Sequence, residues 1–153
     1  MKVTGKNSLS FLIKIVLQIL EVLGICMLIF LPWILELYIS SFRLDLENFY
    51  IPCLILLYVS AIPMLAIVWQ AIKLFDLLKR NTPFVMENVK HLKIASICSG
   101  IIFVEYLIGI FLIKSVFIVL VVGIFFVLWI GLYIMSELFK QAVEYKEEND
   151  LTI

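Results

Sequence analysis

Hydrophobic positions fall in four long blocks, at about residues 11–37, 49–71, 94–113 and 116–135, with polar intervals between them. A helix needs about 20 apolar residues to cross a hydrocarbon core about 30 Å thick. The pattern therefore predicts an all-α integral membrane protein with four transmembrane helices in two hairpins. The apolar stretch beyond residue 94 is too long for one span, so Lys114-Ser115 must form a tight turn between the third and fourth. The two halves do not align with each other, which removes support for inverted transporter repeats.

Proline marks the first two spans. Pro32 lacks an amide proton and leaves the Leu28 carbonyl free, which predicts a kink in span 1. Pro52 falls in the first turn expected for span 2. Pro63 lies mid-span and frees the Val59 carbonyl, for which Ser60 is the candidate donor. Small residues suggest close helix approach at Ser96, Gly100 and Gly109 in span 3, and at Gly123 and Gly131 in span 4.

The longest internal polar interval is the connector, residues 72–93, IKLFDLLKRNTPFVMENVKHLK. It reads as an extension of span 2 through Lys79, a break at Asn81, and a new helix capped by Thr82 with Pro83 at its first position. The tail, residues 136–153, is acidic, with a weak helical face at Leu138, Ala142 and Tyr145. Aromatic residues Trp33, Tyr38, Tyr50, Trp69 and Tyr133 lie near span ends, where interfacial belts form.

Composition agrees with the bilayer as solvent. The chain is 64% hydrophobic and 16% charged, with mean hydropathy +1.15. Ordinary soluble domains are roughly 45–50% apolar and about 25% charged. Net charge is zero, so no overall field points to nucleic acid. Cys26, Cys53 and Cys98 lie in different blocks with no C-x-x-C pair, and read as small buried hydrophobes. The first apolar run is too long for a signal-peptide core and lacks a small-residue cleavage site, so it reads as a retained span.

Charge distribution sets the expected orientation. Three Lys lie at the N-terminal end (Lys2, Lys6, Lys14), five basic residues in the connector, and Lys140 and Lys146 in the tail. Only Arg43 and Lys114 lie on the other side, so ten basic residues face two. The positive-inside rule then places both termini, the connector and their helical extensions in the cytoplasm.

Chemistry-bearing residues are few. Lys14, Gln18 and Glu21 share one face of span 1, and Glu105 sits near the centre of span 3. Glu21 lies ten residues beyond Phe11 and Glu105 eleven beyond Ile94, which suggests similar depth. Were their faces to meet, two carboxyls could share a proton or hold a cation. The plainer reading is a neutral acid hydrogen-bonded to a neighbouring helix. His91 is the only histidine, and no catalytic triad, metal cluster or phosphate-binding loop is recognisable. No enzyme activity, cofactor or metal is expected.

Two patches carry a family resemblance. Asn81-Thr82-Pro83-Phe84-Val85-Met86-Glu87-Asn88-Val89-Lys90-His91-Leu92 lies in the connector, and Glu147-Glu148-Asn149-Asp150-Leu151-Thr152-Ile153 ends the chain. Together they resemble the bacterial four-span membrane proteins of domain-of-unknown-function family 2975. Such proteins carry a P-F-x-x-E-N-type segment and finish in E-x-D-L-T-I. Thr82, where the family often has Gly, and Lys90-His91-Leu92-Lys93, in place of an Arg-rich pair, depart from that pattern.

The resemblance implies a bacterial inner-membrane protein without established activity. It also implies a membrane partner for a small helix-turn-helix regulator, since members are often encoded beside one. Pro83, Phe84, Glu87, Asn88, Leu92, Glu148, Asp150, Leu151, Thr152 and Ile153 are then the candidate contact residues. The alternative is a small transporter, channel or immunity-type protein working through Glu21, Gln18 and Glu105. Expected partners are the lipid bilayer, that regulator and other copies of the chain, with no direct nucleic-acid contact.

Overall fold

The computed structural model describes residues 4–41, 46–79, 85–113 and 115–151, with side chains described for 11–41, 50–77, 85–113 and 115–149. Four helices account for nearly all of this: α1 (Thr4–Ser41), α2 (Leu46–Lys79), α3 (Met86–Leu112) and α4 (Val116–Leu151). Each contains a stretch long and apolar enough to cross a membrane. At about 1.5 Å per residue, α1, α2 and α4 run about 50 Å or more and overshoot a hydrocarbon core of about 30 Å. Large apolar side chains cover the outside, among them Ile62, Phe111 and Val116, as lipid contact requires.

Neighbours in sequence are neighbours in space. α1 packs on α2, α2 on α3 and α3 on α4, and the backbones of α1 and α4 do not approach each other. Each pair is antiparallel. Lys14 meets Asp76 while Leu28 meets Tyr58; Gln70 meets His91 while Ser60 meets Tyr106; Ser96 meets Trp129 and Phe103 meets Phe126. The start of α1, the end of α2, the start of α3 and the end of α4 therefore share one end of the molecule, here called the polar end.

Small residues let α3 approach both partners. A Cβ on Gly100 would lie 3.1 Å from the Trp129 ring, and one on Gly109 would lie 3.0 Å from Leu56. The Ser96 hydroxyl donates to the Trp129 carbonyl at 3.1 Å on the same seam, where Phe103 stacks on Trp129. Gly123 and Gly131 behave differently from expectation: nothing lies within 4 Å of a Cβ at either, and both are exposed. The core gathers where α2, α3 and α4 converge, around Ile102, Tyr106, Ile113 and Ile118.

Several local expectations need correction. α2 begins at Leu46, so Pro52 sits inside the helix rather than in its first turn. α3 begins at Met86 after an extended Val85, later than the start expected from Thr82-Pro83, which lie outside the described residues. Glu87 occupies the first turn of α3, where a carboxylate complements the helix dipole. The Ser60 hydroxyl donates to the Leu57 carbonyl rather than to Val59. In the tail, Leu138 and Tyr145 are exposed, whereas Ser136 and Val143 are buried at 1% and 2% exposure. The inward face is therefore rotated from the expected one. Cys26 is exposed, not buried, and all three cysteines are free.

Candidate functional site

Antiparallel packing answers the Pro32 problem from another helix. The Tyr58 hydroxyl of α2 donates to the Leu28 carbonyl at 3.1 Å. That carbonyl is the acceptor which Pro32, four residues on, cannot serve. In lipid no water takes over, so a neighbouring helix is the remaining source of a donor.

The two suspicious carboxyls do not meet. Glu105 adjoins Tyr106, whose hydroxyl lies 3.4 Å from Ser60, at the level of the Leu28–Tyr58 contact. Glu21 lies about two turns nearer the polar end, on the far side of Gly24 and its neighbour Leu65. α1 and α3 are not in backbone contact, because α2 stands between them. Both oxygens of Glu105 are covered, and neither has a hydrogen-bond partner among the described residues. The interhelical hydrogen bond of the plainer reading is therefore not formed. Gln18 is exposed on α1, and Glu21 is half-buried.

A polar cluster missed in the sequence ties the three N-terminal helices together at the polar end. Lys14 pairs with Asp76 at 2.6 Å across α1 and α2. Gln70 accepts a hydrogen bond from Nδ1 of His91 at 2.6 Å, joining α2 to α3. Nε2 of His91 lies 4.0 Å from Glu87. Lys73 sits over the Trp69 ring at 5.0 Å, an amphipathic pair suited to an interface. The signal was available, since Asp76, Gln70 and His91 all flank apolar blocks. Their pairing required the helix register.

The connector and tail candidates divide by exposure. Asn88 and Leu92 are buried, at 0% and 7% exposure, and support α3 from within. Glu87 and Glu148 are exposed. Pro83 and Phe84 lie outside the described residues, as do Thr152, Ile153 and the side chains of Asp150 and Leu151. α4 continues without a break past residue 135 to Leu151. Its last turns turn Val143 inward and leave Glu144, Tyr145, Lys146, Glu147 and Glu148 exposed.

Between the helices lies an apolar cavity of about 690 Å³, lined by Leu31, Leu35 and Ile39 of α1, Leu56 of α2, Tyr106 of α3 and Val121 of α4. A smaller one of about 240 Å³ shares Leu31, Leu57 and Tyr106 with it and reaches Gly24 and Met64. The polar groups at its inner wall satisfy one another: Tyr106 donates to Ser60, and Ser60 donates to the Leu57 carbonyl. No group of three or more potential metal-ligating side chains occurs among the described residues.

Four apolar helices, lipid-facing exteriors and polar residues gathered at one end define a multi-pass helical membrane protein. Residues 20–153 match a protein family of unknown function, DUF2975, and the chain belongs to that family. No curated protein and no solved structure matches it.

Proposed function

We propose that this chain is a protein of the bacterial cytoplasmic membrane, with both termini inside, that holds a small basic helix-turn-helix regulator at the membrane without catalysing a reaction. One observation carries the reading: α4 passes from its apolar stretch into an exposed acidic tip as a single helix, anchored sideways by Val143. A rigid helix keeps Glu144, Glu147 and Glu148 at a fixed height above the bilayer, where they attract a basic surface. The ten-to-two distribution of basic residues supports the orientation. Such a contact competes with DNA phosphates and weakens with salt. Glu87, exposed at the start of α3, adds an acidic group at the same end.

The test is a pull-down in mild detergent of the full chain and of a chain lacking residues 145–153, against a small basic helix-turn-helix protein from the same cell. Retention by the full chain alone, lost at high salt, is the expected result. A regulator that stays soluble with both chains refutes it.

The covered, unpartnered carboxyl of Glu105 favours a second reading, an ion- or proton-linked site within the bundle. Proteoliposome flux abolished by Glu105→Gln supports that reading; equal flux in both proteins removes it.

A further inference from the structure

We infer that the cavity between α1 and α4 is a binding site for one acyl chain of a bilayer lipid, entered sideways from the membrane. The inference is independent of the regulator reading. Three observations converge on it.

The first is the opening. α1 and α4 flank the cavity from opposite sides, yet their backbones do not touch, so no described helix closes the gap between them. The residues beside it, including Met27, Ile34, Val116 and Phe117, are exposed hydrophobics continuous with the lipid-facing surface.

The second is shape. The two cavities adjoin, sharing Leu31, Leu57 and Tyr106, and are bordered along α1 from Gly24 to Ile39, a run of about 22 Å at the helical rise. That is an elongated slot parallel to the helices, and therefore to lipid chains. A larger volume of about 690 Å³ falls within the roughly 300–1,000 Å³ of small-molecule sites.

The third is chemistry. Most of the wall is Leu, Ile, Val, Met and Phe, and the inner hydroxyls of Tyr106 and Ser60 are already engaged. Water needs two to four polar partners, and the inner part of the slot offers only the side chains of that engaged pair. Polar side chains reappear at the outer end, at Tyr38 and Ser115, beside the α3–α4 turn. A lipid seated with its tail along Leu31 and Leu57 would bring its headgroup to that interfacial end, away from the acidic tip of α4.

The test uses the full chain in phosphatidylglycerol–phosphatidylethanolamine vesicles carrying a trace of phospholipid with a diazirine in its acyl chain. After photolysis, adducts are mapped by mass spectrometry. Adducts on Leu31, Leu57 and Phe125 enriched several-fold over those on the more exposed Ile62 and Val127 are the expected result. Filling the slot by Leu57→Trp, or by Ala61→Phe should the first variant not fold, lowers the slot adducts several-fold and leaves the outer ones unchanged. Labelling that simply follows exposure means annular lipid only and overturns the site. So do slot residues that stay unlabelled, as they would under a second copy of the chain, or adducts that neither filling variant reduces.

Discussion

Individual residues in this protein are governed by the absence of water around them. Leu28 has a carbonyl that Pro32 leaves unserved, and Tyr58 supplies the donor. Tyr58→Phe should therefore lower bundle stability by about 0.6–1.7 kcal/mol, the range of interhelical hydrogen bonds in lipid, measured by unfolding in mixed micelles. Glu105 makes the opposite prediction. Its carboxyl holds no partner among the described residues, so Glu105→Leu should leave bundle stability within about 0.5 kcal/mol while improving insertion of α3 by roughly 2–4 kcal/mol. A register-fixing acid would instead lose stability on this substitution. The freed carbonyl at Leu28 and the odd charge at Glu105 were both legible in sequence. The identity of Tyr58 as donor was not, because it lies thirty residues away on another helix.

At the scale of elements, small residues decide which helix faces touch. Gly100→Val drives a side chain into Trp129 and should destabilise by about 1–3 kcal/mol, whereas Gly123→Val enters open space and should change stability by less than about 0.5 kcal/mol. The same micelle unfolding assay separates the two. Sequence spacing treated both glycines as packing sites; only the rotation of α4 against α3 distinguishes them. Similar reasoning applies to the tail. Ser136 and Val143 follow a seven-residue interval that a helical wheel reveals, but Leu138, Ala142 and Tyr145 offered a rival stripe of equal quality. Val143→Asp should release the last turns of α4, seen as faster amide exchange beyond residue 136 with the spans unaffected.

At the scale of the whole molecule, helices follow one another around an open slot rather than closing on themselves. The Lys14–Asp76 pair clasps α1, which like α4 packs on a single neighbour, to the remainder. Asp76→Asn should loosen that clasp by about 1 kcal/mol, the upper range for partly exposed pairs, and the loss should vanish in the Lys14→Met background. Orientation is testable at this scale too. A cysteine placed by Glu148→Cys should react with a membrane-impermeant maleimide only in inverted vesicles, and reaction in right-side-out vesicles would reverse the assignment.

The number of spans, their approximate limits and the gathering of basic residues toward three intervals were determined by the sequence itself. The reason is that burial in lipid acts on each segment separately: about 20 apolar residues suffice, whatever lies beside them. The family was likewise legible in the sequence, whose residues 20–153 match it. Tertiary structure decided what depends on register between helices: that Glu21 and Glu105 lie at different depths with α2 between them, that Asn88 and Leu92 point inward, that His91 meets Gln70, and that α1 and α4 leave a slot open to lipid. Hydropathy could not supply these, because lipid tails are as apolar as the side chains and transfer energy is indifferent to which faces meet. Close packing and the few interhelical hydrogen bonds made that choice.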